Sequence, residues 1–193
     1  MKDKEEVIFV SIAHAIKSQD LEKLASLFSE HPEQVNRIIP LGRQTWLGYA
    51  ASREKPRVVK YLIDIGVDVN KGDERDGRKP ICNAASKGNY DIVKCLLDAG
   101  TVLDVSASVR NPLFGAITSR SPAITQLLLE AGIDSTARYN SDTMKNMDAV
   151  AFALMWGDKE SARLIALRNA KGDEKMAVKA LEEADKIAEE NAR

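Results

Sequence analysis

The sequence is poor in the residues that metal sites, disulfide frameworks and catalytic centres need. Its 193 residues include two cysteines, Cys82 and Cys95, and two histidines, His14 and His31. Two cysteines cannot form a disulfide framework or a tetrahedral thiolate site by themselves. Neither histidine has a glutamate or a second histidine at metal-ligand spacing. We therefore expect no metal, no cofactor and a reducing, cytoplasmic location.

The chain also lacks segments that would direct it to a membrane or to nucleic acid. No run of about 18 apolar residues occurs, so we expect no membrane span. The apolar stretch near the N-terminus is broken by Ser11 and His14 and is not followed by a small-residue cleavage site, unlike a secretory signal. The formal net charge is −1, without a long block of one sign. A phosphate-tracking surface needs surplus Lys and Arg, so we expect no nucleic-acid partner.

Sequence motifs of common active sites are missing as well. There is no glycine-rich phosphate loop and no nucleophile elbow. The segment 70–77 superficially resembles a calcium loop but lacks the alternating acidic ligands and the terminal glutamate. Cys82 and Cys95 have no histidine near them in sequence, and both are interpreted as small buried residues. We expect no catalytic residues, and we predict that the chain is not an enzyme.

What the sequence does contain is a folded composition with an internal repeat. Hydrophobic residues make up 44% and charged residues 30% of the chain, as in a soluble folded protein. An alanine-rich anchor, a polar turn and an apolar helical pattern recur with anchors at positions 15, 50, 84, 116 and 153, so the spacings are 35, 34, 32 and 37. Twelve positions after each anchor stands an apolar residue: Leu27, Leu62, Leu96, Leu128 and Ile165. This period predicts a helical repeat array.

Each of the three central repeats has its own opening and closing motif. The openings read Thr45-Trp-Leu-Gly-Tyr-Ala-Ala51, Lys79-Pro-Ile-Cys-Asn-Ala-Ala85 and Asn111-Pro-Leu-Phe-Gly-Ala-Ile117. The closings are Leu62-Ile-Asp-Ile-Gly-Val-Asp-Val-Asn70, Leu96-Leu-Asp-Ala-Gly100 and Leu128-Leu-Glu-Ala-Gly-Ile-Asp134. These motifs resemble those of the ankyrin repeat family, whose first helix opens with T-P-L-H-x-A-A and whose second helix ends in L-L-x-x-G-A-D-V-N. The match is close over residues 44–134, acceptable over 146–170 and loose over 5–36.

The resemblance implies an all-α ankyrin-repeat solenoid of about five helix-pair units with a C-terminal capping helix. We expect units at about 5–36, 43–70, 77–104, 109–136 and 146–170, and a capping helix over 173–191. Asp173 is expected to be the N-cap of that helix, with an apolar side that includes Met176, Ala177 and Ala184. A coiled-coil dimerisation segment is the alternative, although about two and a half alanine-rich heptads are short for it.

The resemblance also implies a binding function. In this family, the residues after the alanine pair and those at the connector tips face a concave groove that docks proteins. Carried over by position, the expected partner-binding residues are Gln44, Trp46, Tyr49, Arg53, Arg75, Arg78, Lys87, Arg110, Met155 and Trp156. Their basic bias predicts a partner protein with an acidic patch.

Two functions are open at this stage. The first is a monomeric, non-catalytic protein-protein interaction module, acting as a stoichiometric inhibitor, an immunity-type protein or a cytosolic regulator. The second is an enzyme or small-molecule binder with a pocket between units, which would require convergent titratable groups.

Overall fold

The computed structural model describes the backbone of residues 2–192 and side chains from residue 5 onward. Within these residues, the α-helices form five antiparallel pairs and one further helix. The pairs are α1 (Lys2–Ser18) with α2 (Leu21–Glu30), α3 (Trp46–Ser52) with α4 (Pro56–Asp64), α5 (Pro80–Ser86) with α6 (Tyr90–Asp98), α7 (Pro112–Thr118) with α8 (Pro122–Glu130), and α9 (Ala149–Met155) with α10 (Lys159–Asn169). The further helix is α11 (Glu174–Asn191). The predicted solenoid fold is confirmed.

Local sequence signals explain where the helices begin and end. Most begin at a residue whose side chain accepts a hydrogen bond from a backbone N–H of the first turn, which satisfies a donor that the helix leaves unpaired. These N-caps are Asp20, Thr45, Asn89, Asn111, Ser121, Asp148, Asp158 and Asp173. Pro80 and Pro112 occupy first-turn positions, where a missing N–H is tolerated. Gly66, Gly100 and Gly132 have φ near +85°, as helix-ending glycines do.

Small residues allow the short first helices of successive pairs to pack side by side. The alanine pairs Ala50–Ala51 and Ala84–Ala85 are fully buried. A Cβ added to Gly115 on α7 would stand 2.8 Å from the Ser86 side-chain oxygen on α5. The helices therefore pack in the order α3, α5, α7, α9, and the second helices form a parallel layer. The apolar residue twelve positions after each anchor is buried in all five pairs.

A short hairpin, β1 (Tyr139–Ser141) with β2 (Met144–Met147), was not predicted. It lies in the connector between α8 and α9, which runs over 131–148 and has 18 residues, whereas the connector 99–111 between α6 and α7 has 13. The difference of five residues equals the difference between the anchor spacings of 37 and 32. The hairpin therefore accounts for the longest repeat.

Helix α11 covers the exposed end of the fifth pair. Its first half lies beside α10, where Arg163 and Leu167 adjoin Ala177 and Leu181. Its last turn reaches the hairpin, where the Asn191 side-chain oxygen accepts a hydrogen bond from the Lys145 N–H (2.6 Å) and its amide donates to the Lys145 carbonyl (3.0 Å). Ala177, Ala184 and Ala188 are buried, as predicted, but Met176 is 61% exposed. The prediction for Met176 was wrong: one residue turns a helix by about 100°, so Met176 points away from the surface on which Ala177 packs.

The first pair differs from the others. Helix α1 has 17 residues, whereas α3, α5, α7 and α9 have seven each. Within residues 2–192, every helix is too short or too polar to cross a lipid bilayer.

Candidate functional site

The ends of the four short helices form a row of equivalent positions. The C-cap residues of α3, α5, α7 and α9 are Arg53, Lys87, Ser119 and Trp156. Because these helices pack in chain order, their C-cap residues follow one another along the array. We call these four residues the C-cap row.

The first half of the C-cap row is basic and open to solvent. Arg53 and Lys87 are both exposed. The Arg53 guanidinium lies 5.2 Å from the centre of the Tyr49 ring, a cation–π contact that orients it. In the part of the chain whose side chains are described, neither residue forms an ion pair with a carboxylate. Each also stabilises its own helix by placing a positive charge at the C-terminus.

The second half of the C-cap row changes from polar to aromatic. The Ser119 hydroxyl donates to the Ala85 carbonyl (2.8 Å) and so ties the end of α7 to α5. Trp156 is 42% exposed, and its ring centre lies 5.8 Å from that of Phe152. Phe152 in turn stacks on Phe114 at 4.3 Å. Together with the half-buried Met155, Trp156 therefore presents a supported apolar surface.

The connectors that lead into α3, α5 and α7 contribute further candidate binding residues at their tips, immediately before the N-caps. Gln44, Arg78 and Arg110 precede the N-caps of α3, α5 and α7, and all three are half-buried. Arg110 donates to the Asp76 carbonyl and to the Ser106 hydroxyl (3.3 Å). Gln44 accepts from the Asn83 amide (3.2 Å). These two side chains therefore join neighbouring units as well as facing the tips.

Two tip arginines keep unused hydrogen-bonding capacity. Arg78 donates to the Ser86 hydroxyl at 3.4 Å, but its buried Nε has no hydrogen-bond partner among the described residues. Arg75 is exposed, and its side chain forms no ion pair with a described carboxylate. Arg75 can therefore receive an acceptor from outside the chain, whereas the buried Arg78 Nε is closed to one.

Acidic side chains of the tips accept hydrogen bonds from the backbone of their own turns. Burial would raise the pKa of Asp73, but hydrogen bonds from Asp76 and Arg75 outweigh it and lower that pKa. The hydrogen bonds that Ser106 donates lower the pKa of Asp104. These carboxylates therefore stay charged and fix the tip conformations.

The structure corrects the prediction for Trp46 and Tyr49. Both were expected to face the groove, yet Trp46 is 0% and Tyr49 is 1% exposed. The Phe9 ring of α1 stacks on Trp46 at 5.3 Å, and the Tyr49 ring meets Trp46 edge-on at 6.3 Å. The two aromatic residues stand where the third pair has Pro80 and Asn83, and they extend the core toward α1. Neither can touch a partner in this conformation.

The two cysteines and two histidines are the candidate nucleophiles and metal ligands, and their surroundings are those of structural residues. Burial raises the pKa of Cys82 to about 12, and its thiol donates to the Arg110 carbonyl (3.0 Å). Burial also raises the pKa of Cys95. His14 is exposed on α1, and His31 lies 3.6 Å from Glu33. Among the described residues, no three His, Cys, Asp or Glu side chains are grouped to hold a metal ion.

Comparisons with known proteins support the same family. A family model described as ankyrin repeats (3 copies) matches residues 12–107 and 47–139. The chain is 33% identical over 118 residues to E3 ubiquitin-protein ligase KEG of Arabidopsis thaliana, covering 53% of the chain and 7% of that protein. It is 30% identical over 139 residues to human Rabankyrin-5, covering 66% and 12%, and 32% identical over 121 residues to zygote-specific protein 3 of Chlamydomonas reinhardtii, covering 63% and 31%.

The chain thus spans less than a third of the length of these relatives. The family match, in contrast, covers well over half of the chain and runs from within α1 through the fourth helix pair. The chain therefore belongs to the ankyrin repeat family, whose repeats are generally protein–protein interaction modules.

Proposed function

We propose that this chain binds a partner protein through its concave face, along the C-cap row and the neighbouring tip residues, and does so without catalysing a reaction. The observation that carries the proposal is the C-cap row itself. Four equivalent positions follow one another on a rigid array, and three of them present exposed Arg, Lys and Trp side chains. Large aromatic and arginine side chains are the residues most enriched at interface hot spots.

The charge of the surface favours a partner with an acidic patch. Arg53, Arg75 and Lys87 are exposed and free of ion pairs with described carboxylates. Such charges accelerate association with an acidic partner, and salt screens them beyond a Debye length of about 8 Å at physiological ionic strength. Association should therefore slow as salt rises.

We further propose that the chain acts as a monomeric, stoichiometric binder in the cytoplasm, as an inhibitor or immunity-type protein does. Both cysteines are free thiols. Free thiols are favoured where glutathione and thioredoxin keep proteins reduced.

The test compares two charge reversals in the same background. The purified chain is used to capture partners from a lysate of its source, and the affinity of a stoichiometric partner is then measured with Lys87→Glu and Lys60→Glu. Both lysines are exposed, but Lys60 lies on α4, away from the C-cap row, where it pairs with Asp64 (3.3 Å). Lys87→Glu should weaken binding about tenfold or more, since it replaces an attraction by a repulsion.

The control variant should bind as the parent does. If Lys60→Glu weakens binding while Lys87→Glu and Trp156→Ala leave it intact, the assignment of the face is wrong. A stoichiometric bound metabolite in place of a protein partner would contradict the proposed class of function.

A further inference from the structure

The C-cap row has a chemical polarity. Its first two positions, Arg53 and Lys87, are cationic, its third is the small hydroxyl of Ser119, and its fourth is the apolar surface of Trp156. The order is fixed by the packing of α3, α5, α7 and α9. A ligand that lies along the row therefore meets charge at one end and an aromatic ring at the other.

The spacing of the row follows from helix packing. Neighbouring helices pack with axes roughly 10 Å apart. An extended peptide advances about 3.3 Å per residue. The distance between neighbouring positions of the row, which we call one step, therefore corresponds to about three residues of an extended chain. The two steps from Lys87 to Trp156 correspond to about six residues.

We propose that the partner presents an extended acidic segment with an apolar anchor to this surface. Two acidic residues about three positions apart would face Arg53 and Lys87, and an aromatic or large aliphatic residue about six positions further would lie on Trp156. The segment passes the third position of the row with a small residue, because Ser119 is half-buried and its hydroxyl donates to the Ala85 carbonyl. This inference rests on the proposed function and specifies the chemistry of its partner.

Charge complementarity supports this occupant over a basic or a wholly apolar one. Arg53 and Lys87 form no ion pair with a described carboxylate. An acidic segment can therefore pair with them without displacing a partner within the chain. The Trp156 ring packs against Phe152, which in turn stacks on Phe114, and this support limits the motion of Trp156 before an anchor arrives. A pre-organised anchor site reduces the entropy lost on binding.

The test uses labelled synthetic peptides of about ten residues in glycine–serine backgrounds, matching the calculated span. The spaced peptide carries two aspartates three positions apart and a phenylalanine six positions beyond the second. The compressed peptide has the same composition with the phenylalanine two positions beyond. Both are also made in reversed order, because the row fixes the spacing but not the chain direction. Affinities for the full chain are measured by fluorescence anisotropy at low salt.

In one of the two directions, the spaced peptide should bind about tenfold more tightly than the compressed one. Trp156→Ala should abolish that difference, and Lys87→Glu should weaken both peptides, whereas Lys60→Glu should change neither result. The inference would be overturned if the spaced and compressed peptides bound with equal affinity in both directions. It would also be overturned if the preference for the spaced peptide survived Trp156→Ala. Absence of binding by every peptide would also overturn it, and would leave the proposed function to the separate measurement with the captured partner.

Discussion

Cys82 shows how a single position can depart from the family motif and still serve the fold. It lies on α5 where the ankyrin motif has histidine, and it is buried beneath the next connector tip. Its thiol hydrogen-bonds the Arg110 carbonyl, so it still links one unit to the next. A buried, protonated thiol is a packing residue and a poor nucleophile.

This environment predicts selective thiol labelling. In the native protein, a thiol-specific reagent should modify the half-buried Cys95 slowly and Cys82 only after unfolding, because burial raises the pKa of both thiols but closes access to Cys82. Labelling of Cys95→Ser and Cys82→Ser variants with and without denaturant separates the two rates. Rapid native labelling of Cys82 would contradict its assigned burial.

The two tryptophans give a second contrast between residues. Trp46 is fully buried beneath Phe9, whereas Trp156 is nearly half exposed. Trp46→Ala should therefore lower the free energy of unfolding by about 3–5 kcal/mol. Trp156→Ala should cost about 1 kcal/mol or less, since it removes a partly solvated ring. Denaturant titrations measure both values, and a Trp156→Ala loss as large as that of Trp46→Ala would contradict the site description.

Among the elements, α11 closes the array. A solenoid needs terminal caps with a polar outer face, because the last repeat otherwise exposes its apolar side. Buried alanines of α11 cover α9 and α10, and the Asn191 amide joins its end to the hairpin. The buried alanines of its apolar face are thus used within the chain.

A charged residue in this interface should break the cap. Ala184→Asp places a carboxylate at a buried position and should lower the free energy of unfolding by at least about 2 kcal/mol. Lys186→Asp introduces the same side chain two residues away at an exposed site and should have little effect. Thermal unfolding and the oligomeric state are measured together. Equal stability of the two variants would show that α11 is no cap.

Sequence patterns predicted the elements that depend on local signals and missed those that depend on distant contacts. The helix pairs follow from alanine anchors, prolines in first turns and closing glycines. The hairpin did not show in the pattern, because Tyr139-Asn-Ser141 lacks apolar alternation. Its position is stabilised by distant contacts, such as the Tyr139 hydroxyl donating to the Val105 carbonyl (2.8 Å).

The same distinction applies to the candidate site. Arg53, Lys87 and Trp156 were predicted to be open because they follow the alanine anchors, and the structure exposes all three. Trp46 and Tyr49 were predicted from the same motif, yet both are buried. Trp46 is covered by Phe9, more than 35 residues earlier in the chain, and Tyr49 packs against Trp46. No local pattern reports such a contact.

At the scale of the whole molecule, the array separates stability from recognition. The buried alanines and leucines hold the units together, while the C-cap row repeats one outward position from unit to unit. Changes in that row can therefore alter the surface without altering the core. The proposed partner specificity resides in the order of residues along the row.

Hydroxyl-radical footprinting of the captured complex tests this claim most directly, because the chain carries its own control. Trp156 lies in the C-cap row and is 42% exposed, whereas Met176 is 61% exposed on the part of α11 that lies beside α10. Both side chains oxidise readily when solvent reaches them. We predict that partner binding slows oxidation of Trp156 at least about tenfold and leaves Met176 unchanged. Protection of Met176 with Trp156 still freely oxidised would contradict the account.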